Sequence, residues 1–319
     1  MRATDTRRLG RTAIALTVLG FGGSRVGNLH DPVPEDDAQQ AVASAWHLGL
    51  RYFDTAPAYG GGLGEQRIGQ ALRSHRRDDY VLSTKVGRLA PREYDYSHDA
   101  VLRSIDESLK RLGLDRIDVA LIHDIDPEHH GPDGQRRRFR EAMEGAYPAL
   151  NRLRRGGALG AIGVGVNSWQ VCQTAAEAAD FDCFLLAGRY TLLEQEPLAS
   201  FLPLCQRRGI GVIVGAPYNS GILARGSVAG ARHNDAEPSI EVAARTRRIE
   251  AVCARHGVSL GAAALQFPLG HPAVVSVLPG PRTAAQVEAS VTWLGEPIPG
   301  ALWEELKREG CLDPDAPTP

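Results

Sequence analysis

The chain alternates between short apolar runs and longer stretches in which apolar positions return every third or fourth residue. Eight apolar runs predict strands at 17–21, 51–54, 80–85, 117–123, 160–165, 183–188, 211–215 and 274–278. Several of them, such as VALIH, VIVGA and VVSVLPG, show no polar alternation, as expected of parallel strands covered on both faces. Between the runs the spacing predicts helices. The stretch 36–48 follows Pro34, carries an acidic first turn and stops at Gly49. Ser97 stands where it can cap HDAVLRSIDESLKRLG, in which Val101, Ile105, Leu109 and Leu112 share one face. Further helices are expected at 65–73, 139–155, 168–179, 197–208, 240–256 and 283–293.

Strand followed by helix, eight times over, predicts an α/β fold: one closed (β/α)8 TIM barrel, spanning 1–319 as a single domain, rather than an open doubly wound sheet. A β-hairpin over 7–17, turning near Gly10, should precede it. Two connections, 124–138 after the fourth strand and 217–239 after the seventh, are too long for turns. Both leave carboxyl ends of strands, so both should overhang the barrel mouth as loops. The tail, DPDAPTP, is expected to fray.

Composition adds mainly exclusions. With 319 residues, 43% hydrophobic and 23% charged, the chain has ordinary globular balance, and its formal charge of −2 offers no footprint for nucleic acid. The basic run Arg136-Arg137-Arg138 with Arg140 reads as a solvated loop and helix start. No apolar stretch approaches the roughly 20 residues of a bilayer span. The N-terminal MRATDTRRLG lacks the apolar core of a secretory signal. Five cysteines without C-x-x-C spacing point to reduced thiols, hence a cytoplasmic setting. His129-His130 beside Gly131-Pro132 does not make a metal set, and none is expected.

The candidate chemistry centres on RYFDTAPAYGGGLGEQRIG, residues 51–69. Asp54 ends a strand, and Tyr59 follows on a glycine-rich loop. Lys85 ends VLSTK and is one of only three lysines, beside Lys110 and Lys307; His123 ends IDVALIH. In a parallel barrel these four groups converge on one mouth. A phenol with a pKa near 10 is a poor base, an adjacent ammonium favours phenolate, and a carboxylate beyond keeps the lysine charged. Asp54, Lys85 and Tyr59 thus form a sensible proton relay, with His123 placed to orient the reacting oxygen. A strand-end lysine can also form Schiff bases, but Asp54 would leave Lys85 charged and poorly nucleophilic.

DTAPAYGGGLGEQRIGQAL, LSTKVG and SIDESLKRLGLDRIDVALIH together resemble the aldo-keto reductase family over nearly the whole chain. The resemblance implies a barrel without a Rossmann domain, a catalytic tetrad of Asp54, Tyr59, Lys85 and His123, and Tyr59 as acid/base. It also implies a nicotinamide cofactor, NAD or NADP, under the last strand and helix. There VLPGPRTAAQVEASV supplies Leu278, Gly280, Arg282 and Gln286, and Asn167 would hold the carboxamide. Gly280 and Gln286 are uncharged where family members preferring NADP often carry lysine and arginine, so NAD is expected to serve at least comparably. Ala187 and Gly215 stand where a glutamine and a stacking tyrosine are common. LLAGRYTLLEQ, GVGVNSW and APYNSGIL are similar to the branch of aldose 1-dehydrogenases and pyridoxal dehydrogenase. That branch implies oxidation of a cyclic hemiacetal to a lactone; the same tetrad run in reverse is an aldehyde or ketone reductase. The expected partner is a small-molecule sugar or aldehyde, with no membrane or nucleic acid, for a monomer or small homo-oligomer.

Overall fold

The computed structural model describes residues 1–29 and 31–319. The hairpin forms as expected: β1 (Thr6–Arg8) and β2 (Ala15–Thr17) pair antiparallel, Thr6 opposite Thr17. Its turn uses Gly10 at φ 56°, where a Cβ would lie 2.7 Å from the Gly209 carbonyl oxygen. Leu9 and Leu16 then pack into the barrel interior with Tyr52, Leu121, Cys183, Leu185 and Ile213. The hairpin is thus a plug of the barrel core, not an appendage.

Ten further strands follow: β3 (Phe21–Gly22), β4 (Tyr52–Asp54), β5 (Val81–Val86), β6 (Arg88–Ala90), β7 (Glu93–Tyr94), β8 (Val119–His123), β9 (Ala161–Val166), β10 (Cys183–Ala187), β11 (Gly211–Gly215) and β12 (Val274–Leu278). Except for the antiparallel pair β6–β7, they form one parallel sheet ordered β3-β4-β5-β8-β9-β10-β11-β12. A parallel bridge from Leu19 to Val277, with Gly20 N–H donating to the Val277 carbonyl, joins first to last and closes the barrel. The first strand expected at 17–21 is therefore shifted: Thr17 pairs in the hairpin, and the ladder proper begins at Phe21. A continuous extended stretch hides where one partner is exchanged for another.

The outer layer holds helices at Glu35–His47, Leu63–Leu72, His98–Leu112, Tyr147–Arg155, Trp169–Ala178, Phe201–Arg208, Ile240–Arg255 and Ala284–Gly295. Ser97 occupies the N-cap position of the third, but its side chain makes no capping bond; Asp95 takes its N–H instead.

Three expectations are corrected. The segment 124–138 is not an open loop: Pro127–Glu141 is helical, capped by Asp126, which accepts the His129 N–H, and kinked at Gly131 (φ 66°). Proline at a first helical turn is preorganised, and the low hydrophobicity of this solvent-facing helix conceals its period. The basic residues 136–138 and 140 lie inside it. Helices at Leu260–Gln266 and Gly300–Arg308 break the simple alternation. The first is buried over 261–266, so it shows no amphipathic stripe. Against it sits Phe267, 6.3 Å from the Trp303 ring of the second. The tail does not fray: Ala316 is buried and Asp313 N–H donates to Gln195 Oε1 at 2.7 Å. The connection 217–239 is largely irregular, as expected, with one short helix at Ile222–Arg225. Among the described residues no helix is long and apolar enough to cross a membrane.

Candidate active site

Side chains alternate faces along a strand, so residues two apart share the barrel interior. On β4 this pairs Tyr52 with Asp54, and on β5 it pairs Ser83 with Lys85. Thr84, between them, faces outward and donates to the buried Glu65 at 2.7 Å. The inward groups form one chain of bonds. The Tyr52 hydroxyl lies 3.0 Å from Ser83 Oγ, which donates to Asp54 Oδ1 at 2.6 Å. Lys85 Nζ donates to Asp54 Oδ2 at 2.5 Å and to the Thr55 carbonyl at 2.8 Å. The same ammonium lies 4.7 Å from the Tyr59 ring centroid. His123, ending the neighbouring β8, meets Tyr59 edge-on at 5.8 Å.

Tyr59 reaches this point because the chain reverses beside it. Gly60, Gly61 and Gly62 all have positive φ (65°, 63°, 94°), and a Cβ on Gly60 would lie 2.2 Å from the Gly27 carbonyl oxygen. Only glycine fits there. The structure therefore brings Asp54, Tyr59, Lys85 and His123 together at the carboxyl mouth. Ser83 and Tyr52 belong to the same chain of bonds, and sequence reasoning missed them. The i, i+2 spacing of Ser83 and Lys85 was the available signal.

The electrostatics sort these groups. Burial alone would push the Lys85 ammonium down, but Asp54 and then Tyr59 outweigh it and hold it above its ordinary range. Such a lysine is a fixed cation, unsuited to Schiff-base chemistry. Burial raises the Tyr59 phenol above 10, with Lys85 pulling against it and Asp54 pushing further up. The lysine thus limits the rise and does not produce the net depression that the sequence suggested. Burial, then the cations Lys85 and Arg88, hold His123 well below the usual imidazole range, so its ring is neutral.

A second cluster flanks His123. Asp124 has a left-handed backbone (φ 51°), fixed by the Tyr96 hydroxyl, which donates to the His123 and Asp124 carbonyls at 2.7 and 3.0 Å. Asp124 Oδ2 receives Arg88 Nη1 at 2.5 Å and lies 3.4 Å from both His123 Nε2 and His129 Nε2. Asp126 accepts the Asn167 N–H at 2.9 Å and lies 2.7 Å from His129 Nδ1. Asp124, Asp126 and His129 are donor types that could hold a cation. The Arg88 guanidinium, 3.2 Å from His129 Nε2, already supplies the positive charge. Of this cluster, Arg88, Tyr96, Asp124 and Asp126 carry no signal in the sequence, although Asp124 directly follows His123.

The expected cofactor residues lie at the other side of the mouth. Asn167 stands just past β9, its Nδ2 donating to the Ala187 carbonyl at 3.3 Å. Ala187 and Gly215 end β10 and β11, and Gly165 is the penultimate residue of β9; all three have small or no side chains, and a Cβ on Gly215 would already meet Leu185 at 3.0 Å. A tyrosine at 215 would therefore require Leu185 to give way. Leu278 ends β12, and Gly280 faces the segment after β3, where its Cβ would meet Arg25 and Ser24 at 3.3 Å. Arg282 N–H is taken by Gln286 Oε1 at 2.8 Å, and its guanidinium reaches Asp31 at 3.4 Å. Arg25, missed in the sequence, also faces Asp31, at 3.8 Å. Burial and the neighbouring Arg282 lower its pKa, with Asp235 and Asp31 pulling against them. A cradle of backbone and arginine fits a phosphate-bearing dinucleotide.

Comparison with known proteins agrees with this geometry. The sequence model described as the Aldo/keto reductase family matches residues 18–308. The chain is 38% identical to a pyridoxal 4-dehydrogenase of Microbacterium luteolum, covering 98% of this chain and 99% of that protein. It is 37% identical to a D-threo-aldose 1-dehydrogenase of a Pseudomonas species, covering 96% of each. In fold it is similar to an aldo-keto reductase from Bacillus halodurans in its holo form, with a TM-score of 0.77 at 24% identity and 96% coverage of both chains.

Proposed function

The chain belongs to the aldo/keto reductase family and is an NAD(P)-dependent oxidoreductase, and from that premise we propose that it oxidises the C1 hydroxyl of a cyclic aldose to the lactone. What carries the proposal is the buried relay itself, in which Asp54, Lys85 and Tyr59 run into the neutral imidazole of His123. The D-threo-aldose 1-dehydrogenase named above, alike over nearly its full length, supports the choice of substrate.

Each residue has one task in this reading. Tyr59 as phenolate takes the proton of the anomeric hydroxyl while the C1–H bond breaks. The nicotinamide, when bound, accepts that hydride. Lys85 stabilises the phenolate as a fixed cation, and Asp54 holds Lys85 in place with Ser83 behind it. His123, neutral, donates a hydrogen bond to the reacting oxygen. Asn167, the backbone at 278–280 and Arg282 with Gln286 are the proposed cofactor contacts. Run backwards, the same groups reduce an aldehyde, with Tyr59 as the acid.

Pyridoxal offers a second reading, favoured by the likeness to a pyridoxal 4-dehydrogenase. Its closed form is also a cyclic hemiacetal, so the bond chemistry is shared. A turnover panel of aldoses, pyridoxal and plain aldehydes, each with both cofactors, separates the readings. Aldose oxidation at least tenfold more efficient than any other reaction is the expected result. Oxidation of pyridoxal alone would replace the aldose, and aldehyde reduction alone would remove the hemiacetal chemistry altogether.

A further inference from the structure

The carboxylate of Asp124 is bonded on one oxygen only. Arg88, His123 and His129 all approach Oδ2. Among the described residues none donates to Oδ1, and the residue keeps 4% of its surface exposed beside His123. Two neighbours are also short of partners: His123 Nδ1 and Arg88 Nε are buried without a hydrogen bond among the described residues. A left-handed backbone at a non-glycine residue, held by two bonds from Tyr96, shows that the direction of this carboxylate is imposed by its surroundings.

We infer that Asp124 Oδ1 accepts the hydroxyl next to the reacting carbon of a polyhydroxylated substrate, which makes Asp124 the residue that selects sugars over plain aldehydes. An ionised carboxylate can only accept, and a neighbouring hydroxyl is the donor that a sugar has and a simple aldehyde lacks. Arg88 keeps the charge in place and leaves the second oxygen to the ligand. A substrate without the hydroxyl would cover this oxygen and leave it unpaired, which is how polar sites reject deoxy analogues. Arg88 takes the place a metal would need. The inference rests on the proposed sugar chemistry, but it can be tested apart from it.

The readout is a ratio: kcat/KM for glyceraldehyde over that for propanal, measured as reduction by the holoenzyme, with aldose oxidation followed alongside. Asp124→Asn and Asp124→Gly both tolerate the left-handed backbone, so neither variant adds strain. In Asn, Arg88 holds the amide oxygen and turns the NH2 toward the ligand, replacing an acceptor by a donor. The wild-type ratio should exceed one and fall at least tenfold in both variants, and the KM for the aldose should rise. A ratio within twofold of wild type in both variants overturns the inference. That includes the case where both substrates slow together, which would make Asp124 a positioning residue for His123. A wild-type ratio of one or less overturns it directly. Wild-type protein that reduces these aldehydes but oxidises no aldose would remove the sugar reading while leaving the ratio to be measured.

Discussion

The two ends of the barrel mouth are built on opposite plans. Around β4, β5 and β8 the candidate groups are buried side chains packed together, with 2.5 Å between Lys85 and Asp54 and an edge-on contact between Tyr59 and His123. At the end of β12 the working surface is backbone, glycine and arginine, partly exposed and tied by contacts of 3.4 and 3.8 Å to Asp31. On the proposed function, the difference follows from what each end handles. Proton transfer needs fixed charges in a low-dielectric setting, where small displacements are costly. A dinucleotide phosphate needs N–H groups and cations that can rearrange when it arrives. If this is right, substitutions in the first region should be drastic and those in the second gentle.

The largest effect is expected for Tyr59→Phe. Removing the acid/base should lower kcat by about 10²–10⁴-fold. Binding of the cofactor, followed by protein fluorescence, should stay near wild type, because no phosphate contact is lost. A near wild-type rate would break the assignment of roles and, with it, the contrast between the two ends.

Asp54→Asn should come next, acting on stability as well as on rate. It leaves Lys85 as a buried cation with one carbonyl and a phenol for company. Breaking a buried pair from one side costs about 3–5 kcal/mol, so chemical denaturation should show a loss of that order. A change below about 1 kcal/mol would mean that the Asp54–Lys85 pair does not act as a buried pair.

Legibility in the sequence divides along the same line. Asp54, Lys85 and His123 are legible because each stands at or next to a strand end that an apolar run announces, and Tyr59 because it follows on the glycine-rich loop after the first of these strands. The β11 and β12 boundaries, 211–215 and 274–278, agree with the structure residue for residue for the same reason. Helix Leu260–Gln266 could not be found, since a segment buried on all sides has no period to detect. Nor could the Asp124 cluster or the pairing of Asp31 with Arg282, 251 positions apart in sequence, because long-range side-chain contacts leave no local signature. The connection 124–138 is helical where its length suggests a loop, because its start signal, Asp126 followed by Pro127, precedes a segment too polar to show a helical period.

Two pH profiles sharpen the comparison on the buried side. In the proposed mechanism oxidation needs the Tyr59 phenolate, and burial has raised the phenol above 10. Log kcat for oxidation should therefore climb with pH from 7 toward 10 with slope near one, while reduction shows no such climb. A flat oxidation profile would place proton transfer elsewhere. The second profile concerns stability. Burial would lower His129, but its bond to Asp126 and the charge of Asp124 raise it above 6.5. A raised folded pKa stabilises fully below the unfolded value near 6.5, and that stabilisation is lost as pH rises through the folded pKa. The melting temperature of wild type should therefore lose about a degree or two on that rise. His129→Gln should lack this component; an identical pH dependence in both proteins would show that His129 carries no such linkage.

Cofactor choice is the smallest expected effect and tests the open end directly. A 2′-phosphate held by a cation gains charge-assisted bonds of about 1.5–3 kcal/mol each. Gly280 and Gln286 offer no cation, and the Arg282 N–H is already taken by Gln286. The Arg282 guanidinium faces Asp31, whose negative charge opposes a phosphate at the same place. Both side chains are well exposed, so their pairing is worth no more than about 1 kcal/mol. NAD⁺ should therefore serve at least as well as NADP⁺ in kcat/KM. Arg282→Ala should move that ratio by less than about tenfold, since 1.4 kcal/mol is a factor of ten. Asp31→Asn should shift it several-fold toward NADP⁺ by freeing Arg282 and Arg25 together. A hundredfold preference for NADP⁺ in wild type would sink the argument. If such a preference also survived Arg282→Ala, the phosphate contact would lie outside 278–286, and Arg25, half-buried beside Gly280, would be the residue to remove next.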